Sequence, residues 1–479
     1  MGRVLPAPLG LLPLYRLHGL VPAALMETPL LELADRVVEW IGRKAPGLEA
    51  EAYLLRSRDR GIDLKDGVAD TIQESSEGGM GLRLFDGKRM AFSFCGGLEP
   101  EMIGDLFARA ASQLPHLPAD PDRALPVAAA GAVPAPEGEA LPATLHDPWI
   151  FSRPIQEFIP ELREMEARAK RADPRIAKVL QVGYGENASE VAISSTRGIR
   201  ACERGTSCSG GLYAMASAGD DVQVGSASRF ARFRKDLDLG RVADEAVFRT
   251  VSLLGARKLP SRRRAVLFDP WLAGEIVDLV ASPMSAEMVQ RGKSLLKGRV
   301  GERIASPAVT FVDDPWLPGG VSSARFDDEG VPTQRKTMID QGVLCDYFYD
   351  TYTARKDGRS SNGCAGRAGF RGLPAATPSN FFMRPGKMTR EELIADTKDG
   401  ILVLELMGMH MTDPISGEVS VGISGVAITD GEITHGIRGA MLSCGLLDLL
   451  NSIDGVADDL TFYGSLAAPT FRASDLTVA

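Results

Sequence analysis

The residues best suited to chemistry lie between positions 313 and 330. Asp313-Asp314-Pro315-Trp316-Leu317-Pro318-Gly319-Gly320 is followed by Phe326-Asp327-Asp328-Glu329-Gly330-Val331-Pro332-Thr333, so five carboxylates fall within 17 residues, separated by turn-forming Pro and Gly. Carboxylates at that density can hold a divalent cation if they converge with backbone oxygens, or can serve as an acid/base pair. The spacing does not match an EF-hand loop, and an Asp beside a turn readily accepts backbone N–H bonds. Histidine is also missing, since none of the chain's five occurs between His146 and His410. Asp313, Asp314, Asp327, Asp328, Glu329 and Gly330 are therefore expected to build turns and caps rather than a reaction centre.

Other constellations are thinner. Zinc hydrolysis needs nitrogen, sulfur or oxygen ligands with an open position and a carboxylate base. None of His18, His116, His146, His410 and His435 precedes a Glu, and no two share a helical ligand spacing. His410 could meet Asp413 or His435 only through the fold, and a hydrogen-bonded histidine at a strand end is the plainer reading. Gly422-Ile423-Ser424-Gly425 misses the G-x-S-x-G elbow by one residue. Ser294-Leu295-Leu296-Lys297 fits S-x-x-K, in which a helical Lys activates the Ser, but no K-T-G follows, and Lys297 reads more simply as exposed on a polar helix face. Gly363, Gly366 and Gly369 alternate with Arg359, Arg367 and Arg371, a composition able to cradle phosphate or carboxylate. No P-loop or dinucleotide fingerprint accompanies them, so a mobile surface loop is expected.

These residues must be positioned by a chain of 479 residues, 44% hydrophobic and 24% charged, with net charge −9, 51 Gly and 30 Pro. That length implies two or three domains, and the composition favours strands and turns over a helical bundle. Nothing pools enough positive charge for general nucleic-acid binding; the one basic triplet, Arg262-Arg263-Arg264, reads as a solvated strand or helix edge. Six dispersed cysteines without a C-x-x-C pair read as reduced thiols of a cytoplasmic protein, and no apolar run is long enough to span a bilayer.

Residues 1–25 read as a leader, disordered or upstream of the true start, with a signal peptide as the alternative. A helix is expected from Thr28 as cap and Pro29 as first residue, with Leu30, Leu33, Val37 and Ile41 on one face. Residues 26–114 read as an N-terminal α+β domain of helix, antiparallel strands and helix. The Pro-rich stretch 115–148 reads as a linker or loop, 149–258 as a central domain with an antiparallel meander, and 259–479 as a strand-rich C-terminal domain. Helices are expected over 155–171, 244–254, from Asp269-Pro270 to Val280, near Tyr352, and over 444–453; a strand is expected over 337–344. The fold class is α+β.

Around the acidic tract the sequence resembles the TldD/PmbA (TldD/TldE) family. The matching stretches are Gly301-Glu302-Arg303-Ile304-Ala305-Ser306, Thr310-Phe311-Val312-Asp313-Asp314, and Phe326 through Arg335. Asp350-Thr351-Tyr352-Thr353-Ala354-Arg355-Lys356, Pro378-Ser379-Asn380, Lys398-Asp399-Gly400-Ile401, Gly425-Val426-Ala427-Ile428 with Asp430-Gly431-Glu432-Ile433, and Gly464-Ser465-Leu466-Ala467-Ala468-Pro469 continue it in order. The resemblance implies a cytoplasmic heterodimeric metalloprotease, first described as a modulator of DNA gyrase, that cleaves unfolded peptides admitted through a narrow channel and takes part in microcin maturation and antitoxin turnover. TldD-type chains carry His-Glu, three residues and His on a helix before the tract, plus a cysteine ligand near the C-terminus. Here the corresponding helix is about Trp271 to Ser282, with Asp278 and Ser282 in the ligand window, and no cysteine follows Asp454; Cys444 lies earlier. The resemblance thus implies a TldE/PmbA-type subunit with no cofactor of its own, zinc on a TldD-type partner, and unfolded peptide as substrate, with neither nucleic acid nor membrane as partner. Two alternatives stand beside it: a stand-alone homodimeric binding or assembly protein, and a hydrolase using Ser294 and Lys297.

Overall fold

The structure, a computed structural model, describes residues 29–127, 145–409, 412–413 and 415–479. The leader, Thr28 and His410 lie outside the described residues. The first helix, α1 (Leu30–Lys44), buries Leu30, Leu33, Ala34, Val37 and Ile41, and Glu32 in its first turn and Arg43 and Lys44 in its last complement its dipole. Pro29 occupies the N-cap position and not the first helical one, because its ψ of 125° is extended.

One antiparallel sheet then dominates the first half of the chain. Its strands are β1 (Glu49–Lys65), β2 (Val68–Phe85), β3 (Met90–Gly96), β4 (Ile176–Ser195), β5 (Arg200–Ala218) and β6 (Asp221–Ala231), in the order β3-β2-β1-β4-β5-β6. β1, β2, β4 and β5 run for 17, 18, 20 and 19 residues, about three times an ordinary strand. Sequence patterning finds only their apolar parts, because their middles are polar. β1 pairs β4 from Glu51↔Ser195 to Leu64↔Val182, so segments 26–114 and 149–258 contribute to a single sheet.

The helices cover one face of that sheet. At one end α1 and α2 (Met102–Gln113) enclose Ala50, Ala52, Leu54, Leu82 and Leu84. At the other, α3 (Ile159–Ala172) and α4 (Leu239–Val251) enclose Ile62, Leu64, Val182, Leu212 and Ala214. Between the two cores the same face carries ion pairs: Arg56 Nη2 lies 2.6 Å from Glu190 and Arg60 Nη2 2.6 Å from Glu186, with the Phe151 ring against Arg58 and Arg60. α4 begins at Leu239, five residues before the expected Asp244, because the Asp238 carboxylate caps it through Arg241 N–H.

The C-terminal part starts with β7 (Arg262–Phe268) and α5 (Pro270–Ala281), capped by Asp269 through Trp271 N–H. Strand β7 joins a six-stranded sheet in the order 432–445, 418–429, 399–407, β7, 471–478, 453–456, and an added Leu442↔Val478 pairing curls it toward closure. A smaller five-stranded sheet holds Phe311–Asp313 between Lys336–Asp340 and Phe381–Met383. The expected strand at 337–344 is two strands, because Gln341 (φ 44°) and Gly342 (φ 84°) turn the chain. Of the basic triplet, Arg262 and Arg263 are exposed and paired with Asp399 and Asp475, whereas Arg264 is buried. The architecture is α+β, and no described helix is long and apolar enough to cross a membrane.

Candidate functional site

The acidic tract is the joint between the large sheet and the C-terminal domain. Asp313, 0% exposed, accepts from the Ser379 N–H (2.7 Å) and hydroxyl (2.8 Å), and its other oxygen meets Lys336 Nζ at 3.0 Å. Asp314 accepts from Trp316 N–H at 2.9 Å. Asp327 accepts three backbone N–H groups, from Glu329 (2.9 Å), Val331 (2.9 Å) and Ala365 (3.0 Å). Burial, and then the neighbouring Glu329 carboxylate, push Asp327 well above the usual carboxylate range despite those donors. Asp328 accepts from the Tyr53 hydroxyl (3.2 Å) and Arg367 N–H (2.7 Å), and Glu329 from Thr351 N–H (2.8 Å).

Two buried arginines then cross the joint. Arg83 on β2 donates to Glu329 (2.9 Å) and through Nε to Glu51 on β1 (2.9 Å). Arg367 bonds the Asp328 carbonyl (2.9 Å) and pairs with Glu51. Burial alone would raise the Glu51 carboxyl, but Arg367 and Arg83 outweigh it and hold the group below its usual value. Gly330 closes the tract at φ 76°, where a Cβ would stand 2.3 Å from Ile199 Cγ2, so the tract lies directly on the sheet. Gly79 and Gly81 on β2 allow Phe370 the same close approach to the sheet.

Arg367 corrects the reading of 358–372 as a mobile surface loop: its side chain is 1% exposed, and Phe370 packs with Tyr53, Ile193 and Ile199. Residues that sequence reasoning passed over therefore matter most here, namely Glu51, Tyr53 and Arg83. A charged side chain at the centre of an apolar strand, as in Ala50-Glu51-Ala52 and Leu82-Arg83-Leu84, was the available signal. Two further clasps join the large sheet to the C-terminal domain. Arg232 donates to the carbonyls of Gly320 (2.8 Å), Val321 (2.7 Å) and Ser323 (3.1 Å). Arg249 on α4 lies 4.4 Å from the Trp271 ring at the start of α5.

The tract's carboxylates are thus bonded to backbone N–H groups, guanidinium groups and an ammonium. Among the described residues no group of three or more His, Cys, Asp and Glu side chains could hold a metal. In the window on α5, Asp278 is exposed and raised by partial burial, and Glu275, one turn earlier, is raised by burial and then by Asp278. Val277 is fully buried in the core, and Ser282 follows the helix, its N–H bonded to the Asp278 carbonyl. One carboxylate and one hydroxyl without an imidazole or thiolate do not fit zinc, which takes a tetrahedral nitrogen, sulfur and carboxylate set. Cys444 is partly buried and pushed up to about 11 by burial and then Asp448, the opposite of a ligand thiolate.

His435 is half-buried and contacts the Thr434 hydroxyl at 3.1 Å; His410, and with it any pairing to Asp413 or His435, lies outside the described residues. The Ser294/Lys297 pair is also corrected. Residues 291–301 form turns rather than a helix, and the Ser294 hydroxyl donates to the Pro283 carbonyl (2.6 Å) and accepts from Leu296 N–H (3.0 Å). Lys297 is exposed and is not among the partners of the Ser294 hydroxyl.

Comparison with known proteins identifies the family of the chain. Three successive family models of the PmbA/TldA metallopeptidases match: domain 1 at residues 50–114, the central domain at 150–254 and the C-terminal domain at 261–479. A metalloprotease of Methanothermobacter thermautotrophicus is 28% identical over 84% of this chain and 86% of its own length. Metalloprotease PmbA of Escherichia coli O157:H7 is 23% identical over 94% and 96%. A metalloprotease of Methanocaldococcus jannaschii is 33% identical over 46% of this chain, and that match spans 48% of the relative. Among solved structures, a Thermotoga maritima chain described as a candidate modulator of a DNA gyrase superposes with TM-score 0.84 at 26% identity, covering 94% of this chain and all of that one. TldE from Thermococcus kodakarensis shares the fold, with TM-score 0.79 at 22% identity over 95% and 100%. The chain belongs to the PmbA/TldD family of metallopeptidases.

Proposed function

We propose that this chain is the TldE/PmbA-type subunit of a TldD/TldE-type metallopeptidase, carrying no metal itself and helping a zinc-bearing partner process unfolded peptides. The observation that carries this reading is the α5 window: Val277 is part of the core, Asp278 and Ser282 supply one carboxylate and one hydroxyl, and no histidine lies between His146 and His410. The relatives named PmbA and TldD, and a neighbour named TldE, support a complex of two related chains. In that complex this chain's part is structural and substrate-holding, because a peptide can be held through backbone hydrogen bonds without a reactive side chain.

The test is hydrolysis of an unstructured peptide by this chain, by a family member bearing His-Glu-x-x-x-His, and by both after co-expression. The expected result is a co-purifying complex that cleaves the peptide and loses activity to a chelator, with this chain alone inert. Full activity of the purified chain alone would sink the reading, and so would a homodimer that refuses the partner.

A further inference from the structure

The helices and the C-terminal domain leave one large surface uncovered. Along β5 the residues alternate strictly: Cys208, Leu212 and Ala214 are buried under α3 and α4, while Ser207, Ser209 and Tyr213 are half-exposed on the other side. The C-terminal domain meets that other side at the end bearing Glu51, Tyr53 and Arg83. Beyond it, from Ser57 on β1, the ion pairs of this face among the described residues reach outside the sheet's own strands only to Arg371, which meets Glu77, and to Asp66 in the turn after β1, which meets Lys178.

The floor of this open face is low and polar. A Cβ at Gly183 would stand 2.4 Å from Asp63 Oδ1, one at Gly185 3.2 Å from Ser209 Oγ, and one at Gly61 3.5 Å from Gln73 Nε2. Polar side chains therefore lie flat over neighbouring glycines. The result is a shallow hydrogen-bonding surface. At its β6 border Val222, Val224 and Phe230 are exposed and offer an apolar margin.

The negative charge on this floor is only partly compensated: Lys65 acts on Asp63, and Lys178, opposite Met215 on β5, pairs with Asp66 in the turn after β1. Asp59 accepts from the Asn187 amide at 2.7 Å and Asp63 bonds the Gln181 side chain, yet neither forms an ion pair among the described residues. Elsewhere the buried and half-buried carboxylates of this sheet, such as Glu51, Glu186 and Glu190, are matched by arginines. Burial raises both Asp59 and Asp63, which marks them as recessed carboxylates that a cation would stabilise. Four residues apart on one strand, they are separated by about 13 Å, the distance between side chains i and i+4 of an extended chain. Phosphate-bearing polymers and anionic lipid would be repelled.

We propose that the open face of the β2-β1-β4-β5-β6 sheet is a sequence-tolerant track for extended, cationic stretches of unfolded polypeptide, with Asp59 and Asp63 selecting the charge. This rests on the reading of the chain as a peptide-handling subunit, and it names the substrate class that this subunit would admit. A flat surface with dispersed acceptors suits a moving unfolded chain, since each contact is weak and none depends on a particular side chain.

The experiment is fluorescence anisotropy of labelled, unstructured twelve-residue peptides with the full-length chain: one Lys/Ser/Gly, one Glu/Ser/Gly and one Ser/Gly. At low salt the Lys peptide is expected to bind about tenfold tighter than the Glu peptide, an advantage that shrinks as salt rises. Asp59→Asn and Asp63→Asn should each weaken Lys-peptide binding about threefold, and the pair about tenfold, with unchanged Ser/Gly binding. A photo-crosslinking p-benzoylphenylalanine at Ser207 should capture the Lys peptide, and the same group at the exposed Ser112 on α2 should not. Equal binding of Lys and Glu peptides, or full affinity in the double variant, overturns the track, as does equal capture at both positions. Because binding is read on this chain alone without hydrolysis, the track can stand while the partner assignment fails, and the reverse.

Discussion

Arg83→Met is expected to cost about 3–5 kcal/mol of unfolding free energy in urea, far more than loss of a surface arginine. Arg83 is 5% exposed and is shared by two carboxylates that are themselves about 1% exposed. Without it Glu51 keeps only Arg367, and Glu329 keeps only the Thr351 N–H, so a buried charge loses its counter-ion. Methionine preserves much of the volume, which separates the charge effect from a cavity. The pH dependence gives the sign. In the native chain Glu51 is held below its ordinary 4.5, so its stabilising contribution is present above that value and is lost as pH falls through the folded one. In the variant Glu51 keeps one guanidinium instead of two, so the loss relative to the native chain is full at pH 7 and shrinks as acid protonates Glu51 in both. A loss of under 1 kcal/mol, or one equally large at pH 4, would show that the joint is not held by this pair.

Gly330→Val is expected to cost about 3 kcal/mol, combining left-handed backbone strain with overpacking. The position has φ 76°, and a Cβ there meets Ile199 Cγ2 at 2.3 Å and Ile193 Cγ2 at 3.9 Å. Gly319 provides the comparison, because its φ is 74° but its nearest neighbour is an Asp236 oxygen at 3.8 Å. Gly319→Ala should therefore show only the backbone part, about 1 kcal/mol. Adding Ile199→Ala to Gly330→Val should recover part of the loss by removing the clash, leaving the strain in place. If the two glycine variants lose stability equally in urea, the tract does not press on the sheet as described.

The contrast between those glycines shows what the sequence could and could not convey. That 319 and 330 lie in turns is written locally in Pro and Gly. That only 330 faces a wall depends on Ile199, 131 residues away by position. α1, α2 and α5 follow their apolar spacing, α5 also its Asp269 cap, and the antiparallel meander expected within 149–258 forms as β4, β5 and β6. The long strands were only partly readable, since Arg56, Arg58 and Arg60 satisfy their charges against Glu190, Glu74 and Glu186 instead of burying apolar surface. Pairing of that kind leaves no periodic hydrophobic signal. The Gly/Arg-rich stretch at 358–372 reads as solvated for the same reason: nothing local reveals that Arg367 will meet Glu51. At the site the acidic residues were visible in the sequence as a tract, whereas Glu51, Tyr53 and Arg83 were hidden in strands that read as ordinary core.

The claim on which the functional account turns is that chemistry, and the metal for it, belong to a partner. Metal content by mass spectrometry, measured on the purified full-length chain after exposure to zinc and desalting, tests it most directly. The account predicts well under 0.1 zinc per chain alone, and about one per heterodimer once a chain bearing His-Glu-x-x-x-His is bound. Stoichiometric zinc retained by this chain alone, lost in Asp278→Ala, would contradict it.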